Sequence, residues 1–400
     1  MVRIGVVGCA HGALDAIYAF ALEHNAEHPS EPIELILCCG DFECIRNESD
    51  LQCKASPPRY RHMNNFHEYY RGVKTAPILT IFVGGNHEAS NYLQELFYGG
   101  WVAPNIFYLG AAGVVNVGGL RIAGLSGIYD KGRYHLGHFE VAPYSKKTIS
   151  SVYYVREVEV FELSHMSNVP IDISMTHDWP RKIEDHGDLD ALLRQRPDFK
   201  TSIDADAFGS PASEFLLSKL RPRFWFAGHM HVNFEATVAH ATDDTTTKFF
   251  GVSKCFRTTA CMEIIDVPAR PEVSNASTQP AKIMVDRQWL TVLLATHSLS
   301  SMSKDHVRLP TKPIVLHRED FAWVDQQLEE FYTKHHDNKT HGEWITDFEM
   351  TALPHGEADL SNPQFDIGNP QTDTLLELLK LDHIVTRPSG DEAALVDFEI

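Results

Sequence analysis

Seven residues of this chain pair a metal-binding side chain with a place just after an apolar run: Cys9, His11, Asp41, Asn86, His177, His229 and His231. Each type has a reason to be there. An aspartate has two oxygens and can bridge two cations, so Asp41 reads as a shared ligand. Asn86 offers a neutral carbonyl oxygen, which binds a cation without cancelling its charge. Imidazoles suit iron, zinc and manganese ions of borderline softness. His229 and His231 stand two residues apart, and in extended backbone both side chains fall on one face, each able to reach one of two adjacent ions. This reading puts His11, Asp41 and His231 on a first ion with Cys9 nearby, and Asp41, Asn86, His177 and His229 on a second. Any one of the 22 histidines alone signals little, and Gly-Asp and Gly-Asn pairs are ordinary turns. The ordered set is the signal. His87 follows Asn86 directly, so it is carried to the same place without being spent on metal.

Such a set needs elements that deliver it. Apolar runs at Val2–Gly8, Ile33–Cys39, Pro77–Val83, Ile171–Thr176 and Phe224–Ala227 each lead into one of these polar turns. Continuous runs of this length suit strands buried on both faces. Helical patterns fall at Ala13–His24, Asn91–Tyr98, Thr148–Ser167 and Ser210–Leu220. The expectation is an α/β fold whose chemistry gathers at the carboxyl ends of the strands. Lys248–Val252 and Ala260–Val267 read as closing strands, which gives a first domain over 1–267. Pro, Ser and Asn crowd Pro268–Pro280, a linker signal. Beyond it, Asp286–His297, Asp320–Lys334 and Leu375–Leu381 carry helical patterns, a smaller domain over 281–400 with an acidic end from Asp391.

Composition bounds the function classes. Apolar residues make up 43% of the 400, enough for a substantial core. No apolar run reaches the roughly 18 residues that span a bilayer. The first residues lack the length and cleavage site of a signal peptide and read as a strand. Seven cysteines, an odd number without C-x-x-C spacing, predict neither a disulfide framework nor a zinc ribbon, and a reducing compartment follows. A net charge of −19 excludes a protein that coats polyanions generically, but more than half of that excess falls from His341 onward. A local basic groove is still expected, and divalent ions add positive charge where phosphate sits.

The motif order resembles the calcineurin-like metallophosphoesterases: Gly40-Asp41, Gly85-Asn86-His87-Glu88, His177, then Gly228-His229-Met230-His231. One position departs, since Cys9 stands where most of that superfamily has aspartate. A thiolate there favours Fe(II) or Zn(II) over hard ions, with Mn(II) a further option; a small buried hydrophobe is the other reading of Cys9. The same departure, Gly8-Cys9-Ala10-His11-Gly12, is similar to the RNA lariat debranching enzymes. So are Cys38-Cys39-Gly40-Asp41-Phe42, Gly99-Gly100-Trp101-Val102-Ala103-Pro104, His177-Asp178-Trp179-Pro180 and, near the far end, Asn369-Pro370-Gln371-Thr372. The resemblance implies a metallophosphoesterase β-sandwich flanked by helices, with a smaller C-terminal domain. It implies two divalent ions, and hydrolysis of the 2′-5′ bond in branched (lariat) RNA, in the nucleus with the cytoplasm as a second location. In-line attack on phosphorus leaves a 2′-oxygen that needs a proton, and His87 is the expected general acid. Glu88 and Asp178 are expected to orient ligands. Residues 127–157 correspond to a lariat recognition loop, where Tyr129, Lys131, Arg133, Tyr134 and Tyr144 could stack on bases or meet phosphates. Arg59 and Tyr69 mark a second such surface. The rival readings are another dinuclear metallophosphoesterase, a nucleotide phosphodiesterase or protein phosphatase, and an inactive RNA-binding scaffold.

Overall fold

The computed structural model describes residues 1–241, 244–255, 261–270, 281–336, 338–357, 363, 365 and 367–389. The acidic end from Asp391 and residues 271–280 of the expected linker lie outside them. Within the described residues the strands are β1 (Val2–Val7), β2 (Leu35–Cys38), β3 (Thr80–Phe82), β4 (Gly100–Ala103), β5 (Ile106–Tyr108), β6 (Ala112–Val117) and β7 (Leu120–Leu125). They continue as β8 (Ile173–Thr176), β9 (Phe224–Ala227), β10 (Phe234–His240), β11 (Thr245–Gly251), β12 (Glu263–Val267) and β13 (Ile283–Val285). One sheet has the order β12-β1-β2-β3-β5-β4, the other β10-β11-β9-β8-β7-β6-β13. Both are mixed. In the first, β1, β2, β3 and β5 run parallel; in the second, β7, β8, β9 and β11 do.

The sheets face each other across a dry layer. Ile4, Val6, Leu37 and Ile81 from the first meet Ile122, Ile173, Met175 and Phe226 from the second, all fully buried. The outer face of the first sheet is covered by the Leu14–Glu27 helix, through Leu14, Ile17, Tyr18 and Ala21. The outer face of the second is covered by the Glu157–Ser164 and Pro211–Leu220 helices and by Arg287–Thr296, whose Trp289, Leu290 and Val292 share that core. This is the sandwich flanked by helices that the resemblance implied. Parallel strands sharing a sheet end on the same side, so β1, β2 and β3 release their turns together, as do β8 and β9. Contacts of His11 with His231 and of His177 with Cys39 bring both sets to one edge of the sandwich.

One helical expectation fails. Residues 148–153 form turns, 155 and 156 are irregular, and the helix begins only at Glu157. The helix start is set by the Glu159 carboxylate, which accepts the Arg156 backbone N–H at 3.0 Å in a capping interaction. The preceding loop is held instead by a buried ion pair, Arg156 to Glu140 at 2.8 Å. Tyr154 bridges back to Ile128, and Leu136 bridges to His306 in the C-terminal region. Cysteine counting also missed a bond. Cys255 and Cys261, six residues apart, are joined as a disulfide, a spacing no framework pattern anticipates.

Candidate metal centre

The turns after β1 and β2 are stitched together by backbone hydrogen bonds, His11 N–H to Asp41 O at 2.7 Å and Ala10 N–H to Gly40 O at 3.3 Å. Across the edge, Gly228 N–H reaches His177 O at 3.1 Å, tying the turns after β8 and β9. Trp179, fully buried, fixes the last turn by donating its indole N–H to Gly228 O at 2.8 Å. Against the extended backbone expected for His229 and His231, both adopt left-handed φ, 63° and 53°. Their shared direction comes from a tight turn around Met230 and not from strand pleating.

Two clusters result, with Asp41 between them. Donor atoms of Cys9, His11, Asp41 and His231 all lie within 4.8 Å of one another. His11 Nε2 is 3.2 Å from His231 Nε2 and 3.8 Å from Asp41 Oδ2. That spread suits one coordination shell, where metal–ligand bonds of about 2.0–2.3 Å put opposed donors about twice that apart. On the other side His177 Nε2 is 3.1 Å from Asn86 Oδ1 and 3.4 Å from Asp41 Oδ1, with the His229 ring 4.9 Å from that of His177. Asp41 therefore turns one oxygen to each cluster. His177 Nδ1 is engaged by Cys39 O at 2.7 Å, which leaves Nε2 as its free donor.

The electrostatics follow from burial and crowding. Burial raises the Asp41 carboxyl, but the surrounding imidazoles outweigh it and hold it well below the usual carboxylate range. Burial pulls His177 and His231 down to about 4, so both are neutral and able to bind metal. For His11, burial pulls downward and the Glu43 and Asp41 carboxylates more than compensate. Burial, then Asp41, pushes the Cys9 thiol up, and its sulfur accepts the His229 N–H at 3.1 Å. A neutral thiol is a poor ligand, so a bound cation must displace its proton.

His87 is placed as expected and held in an unexpected way. Its backbone N–H donates to Asp41 Oδ1 at 2.9 Å, and Nδ1 meets Ser56 Oγ at 2.9 Å. Its ring stands 5.7 Å from that of His11, at the wall of an open cleft lined also by Lys54, Tyr60, Asn64 and Lys254. Glu88 is a clamp on backbone. Its carboxylate accepts N–H groups of Phe42 and Glu43, each at 2.7 Å, and of Gly85 at 3.0 Å, locking the Asp41 and Asn86 turns together. Burial and Asp41 push its pKa up to about 7. Asp178, raised by burial and drawn back down by the neighbouring His229, accepts the Tyr129 N–H at 3.2 Å and so anchors residues 127–157.

In that loop Lys131 is exposed, and Tyr129, Arg133, Tyr134 and Tyr144 are half-buried; Tyr129 and Tyr134 also pack on the core, while Tyr144 donates to Gln94. Arg59 is exposed and lies over the Tyr60 ring at 4.7 Å. Tyr69 is a correction: its ring is 4% exposed against Tyr18, with the hydroxyl donating to Asp15 at 2.7 Å, so no base can stack on it. A run of aromatics does not reveal which face of a short helix turns inward. Glu43, Lys54, Ser56 and Asn64 were not anticipated. Only Glu43 carried a signal, two residues after Asp41 in the same turn.

Residues 2–233 match the calcineurin-like phosphoesterase family, and residues 244–384 match the lariat debranching enzyme C-terminal domain. The lariat debranching enzyme of Arabidopsis thaliana is 39% identical over 386 residues, covering 96% of this chain and 87% of its own length. The chain belongs to the lariat debranching enzyme family. The mouse (Mus musculus) and human (Homo sapiens) lariat debranching enzymes are each 42% identical over 381 residues. This family member spans about two thirds of their length, 66% and 67%. A metallophosphoesterase family implies divalent ions, and the donor set above fits them. Among the described residues no helix is long and apolar enough to cross a membrane.

Proposed function

We propose that this chain hydrolyses the 2′-5′ phosphodiester at the branch of excised intron lariats, giving linear RNA. The observation that carries the reading is Asp41, with one oxygen toward His11 and the other toward His177, and His87 on its edge. Cys9, His11, Asp41 and His231 would hold one ion, and Asp41, Asn86, His177 and His229 the other. Ions bound there supply Lewis-acid stabilisation of the charge that grows on the non-bridging phosphate oxygens. Fe(II), Zn(II) or one of each would suit these sites, with Mn(II) able to substitute, because sulfur and imidazole donors favour borderline ions.

The rest is done by the chain. Ser56 occupies Nδ1 of His87 and leaves Nε2 to give its proton to the departing 2′-oxygen. Lys54 and Lys254 line the cleft. Lys54 is paired with Glu43, so it is Lys254 that offsets part of the overall negative charge where phosphates enter. Tyr129, Lys131, Arg133, Tyr134, Tyr144 and Arg59 contact the RNA around the branch, and the enzyme works in the nucleus, with the cytoplasm as a second location.

His87→Ala is expected to retain branched-RNA binding and to lose about 10²–10⁴-fold in cleavage rate. Gel-shift and cleavage assays on synthetic branched RNA, with metal analysis of anaerobically purified protein, test this. Undiminished turnover removes His87 from the mechanism. Faster cleavage of a cyclic nucleotide or a phosphopeptide than of branched RNA supports the other dinuclear phosphoesterases instead.

A further inference from the structure

Beside the first cluster lies a buried ion pair that the reaction itself does not require. Glu43 and Lys54 are both almost wholly enclosed, with Lys54 Nζ 2.7 Å from Glu43 Oε1. The same oxygen is 3.3 Å from His11 Nδ1. The other oxygen accepts the Asn64 side-chain amide at 3.0 Å, and that amide also reaches His11 O at 3.4 Å. The carboxylate has little freedom. Glu43 holds a left-handed φ of 64°, its N–H is clamped by Glu88, and its neighbour Phe42 stacks on Phe82 at 4.1 Å.

A histidine can give a metal only one nitrogen, and the hydrogen bond at the other decides which one. Glu43 takes the Nδ1 side of His11, so the Nε2 lone pair is left facing Asp41 and His231. A carboxylate held here by burial alone would add a second negative charge next to Asp41. Lys54 cancels it. We propose that Glu43 and Lys54 act as one positioning unit for the first metal site, fixing the tautomer and direction of His11 while leaving the site's net charge unchanged. The proposal rests on the metal reading of the site, which the first measurement below tests separately.

Zinc binding to metal-free protein, competed against a chromophoric chelator, gives both stoichiometry and affinity without any turnover assay. The unsubstituted chain is expected to bind two ions; fewer would overturn the metal centre itself, and this unit with it. Glu43→Leu, similar in size and unable to accept from Nδ1, should weaken the first-site affinity 10–100-fold, the range for losing a partner that orients a ligand. Glu43→Gln keeps an acceptor for His11 but strands the Lys54 ammonium, so it should weaken the site as well. Glu43→Gln combined with Lys54→Met is neutral throughout and keeps the acceptor, and it should return to within about threefold of the unsubstituted chain, as exchange of a buried ion pair for neutral groups is often tolerated. Parent affinity in Glu43→Leu would overturn the proposal. So would a double variant as weak as Glu43→Leu, whether or not the single variants fold well.

Discussion

His11, Asp41, Glu43, His229 and His231 all hold φ in the left-handed region, at 45°, 45°, 64°, 63° and 53°. None is glycine, and each such residue costs on the order of 1–2 kcal/mol. Strain of this kind persists where surrounding contacts over-determine the backbone. Here those contacts are the Glu88 clamp, the Trp179 indole and the backbone bonds between turns. Little space is left for error. A Cβ added at Gly85 would lie 2.3 Å from Asp41 Oδ1 and 2.4 Å from Asp41 N, closer than atoms can approach. Gly85→Ala is therefore expected to push Asp41 out of place and to lose metal binding at both clusters together with activity, while the sandwich stays folded. Metal analysis and circular dichroism of that variant check this; a variant with its full complement of metal would show that Asp41 need not sit where it does.

At the scale of elements, the ligand turns are held together by the short helices that follow them. Arg46, fully buried, forms paired contacts of 2.8–3.0 Å with Asp50, in the Glu48–Gln52 helix, and with Glu95, in the Ser90–Glu95 helix. Those helices come directly after the Asp41 and the Asn86-His87 turns, so one guanidinium couples the two halves of the centre. Removing it would leave two carboxylates buried without their partner. Arg46→Met should cost about 3–5 kcal/mol of stability, measured by urea unfolding of the metal-free protein. A cost under 1 kcal/mol would mean that the carboxylates find other partners. The strands that precede the ligands were legible because β1, β2, β3, β8 and β9 are each continuous apolar runs ended by polar turns. The helix expected from Thr148 was not. Its Ile149, Val152, Val155 and Val158 spacing is compatible with a helix, but the Arg156–Glu140 pair is a non-local contact that pins the segment as a loop.

Over the whole molecule, the C-terminal region does more than follow the sandwich. β13 pairs with β6 and extends the second sheet. Gln371 grips β4 from the side, accepting the Trp101 N–H and donating to Trp101 O, both at 2.8 Å, and Thr372 donates to Glu95 O at 2.6 Å. Backbone N–H groups of Thr351 and Ala352 reach the Tyr70 hydroxyl at 2.9 and 2.8 Å, and His355 N–H meets Arg46 O at 2.9 Å. Ser301 and Ser303 pair with His138 and Gly137 of the 127–157 loop. Gln371→Leu would leave the half-buried Trp101 N–H and C=O without this partner and should destabilise the protein by about 1 kcal/mol or more. Its metal content should be unchanged, since the grip is on a sheet edge remote from the ligand turns. Thermal melts with metal analysis check both halves. Loss of metal in this variant would mean that the C-terminal grip reaches the centre.

The amino-acid sequence by itself determined the kinds of ligand, their order and their place after strands, because strand periodicity and turn chemistry are local properties of the chain. It also carried the family, through motifs spread from Gly8 to Thr372. Tertiary structure alone decided that Asp41 divides its oxygens between two clusters, that Glu43 and Lys54 stand behind His11, that Tyr69 faces inward, and that Cys255 meets Cys261. Each of these depends on how segments far apart in sequence pack and in which direction a side chain leaves a constrained backbone, and no residue type or spacing encodes that by itself.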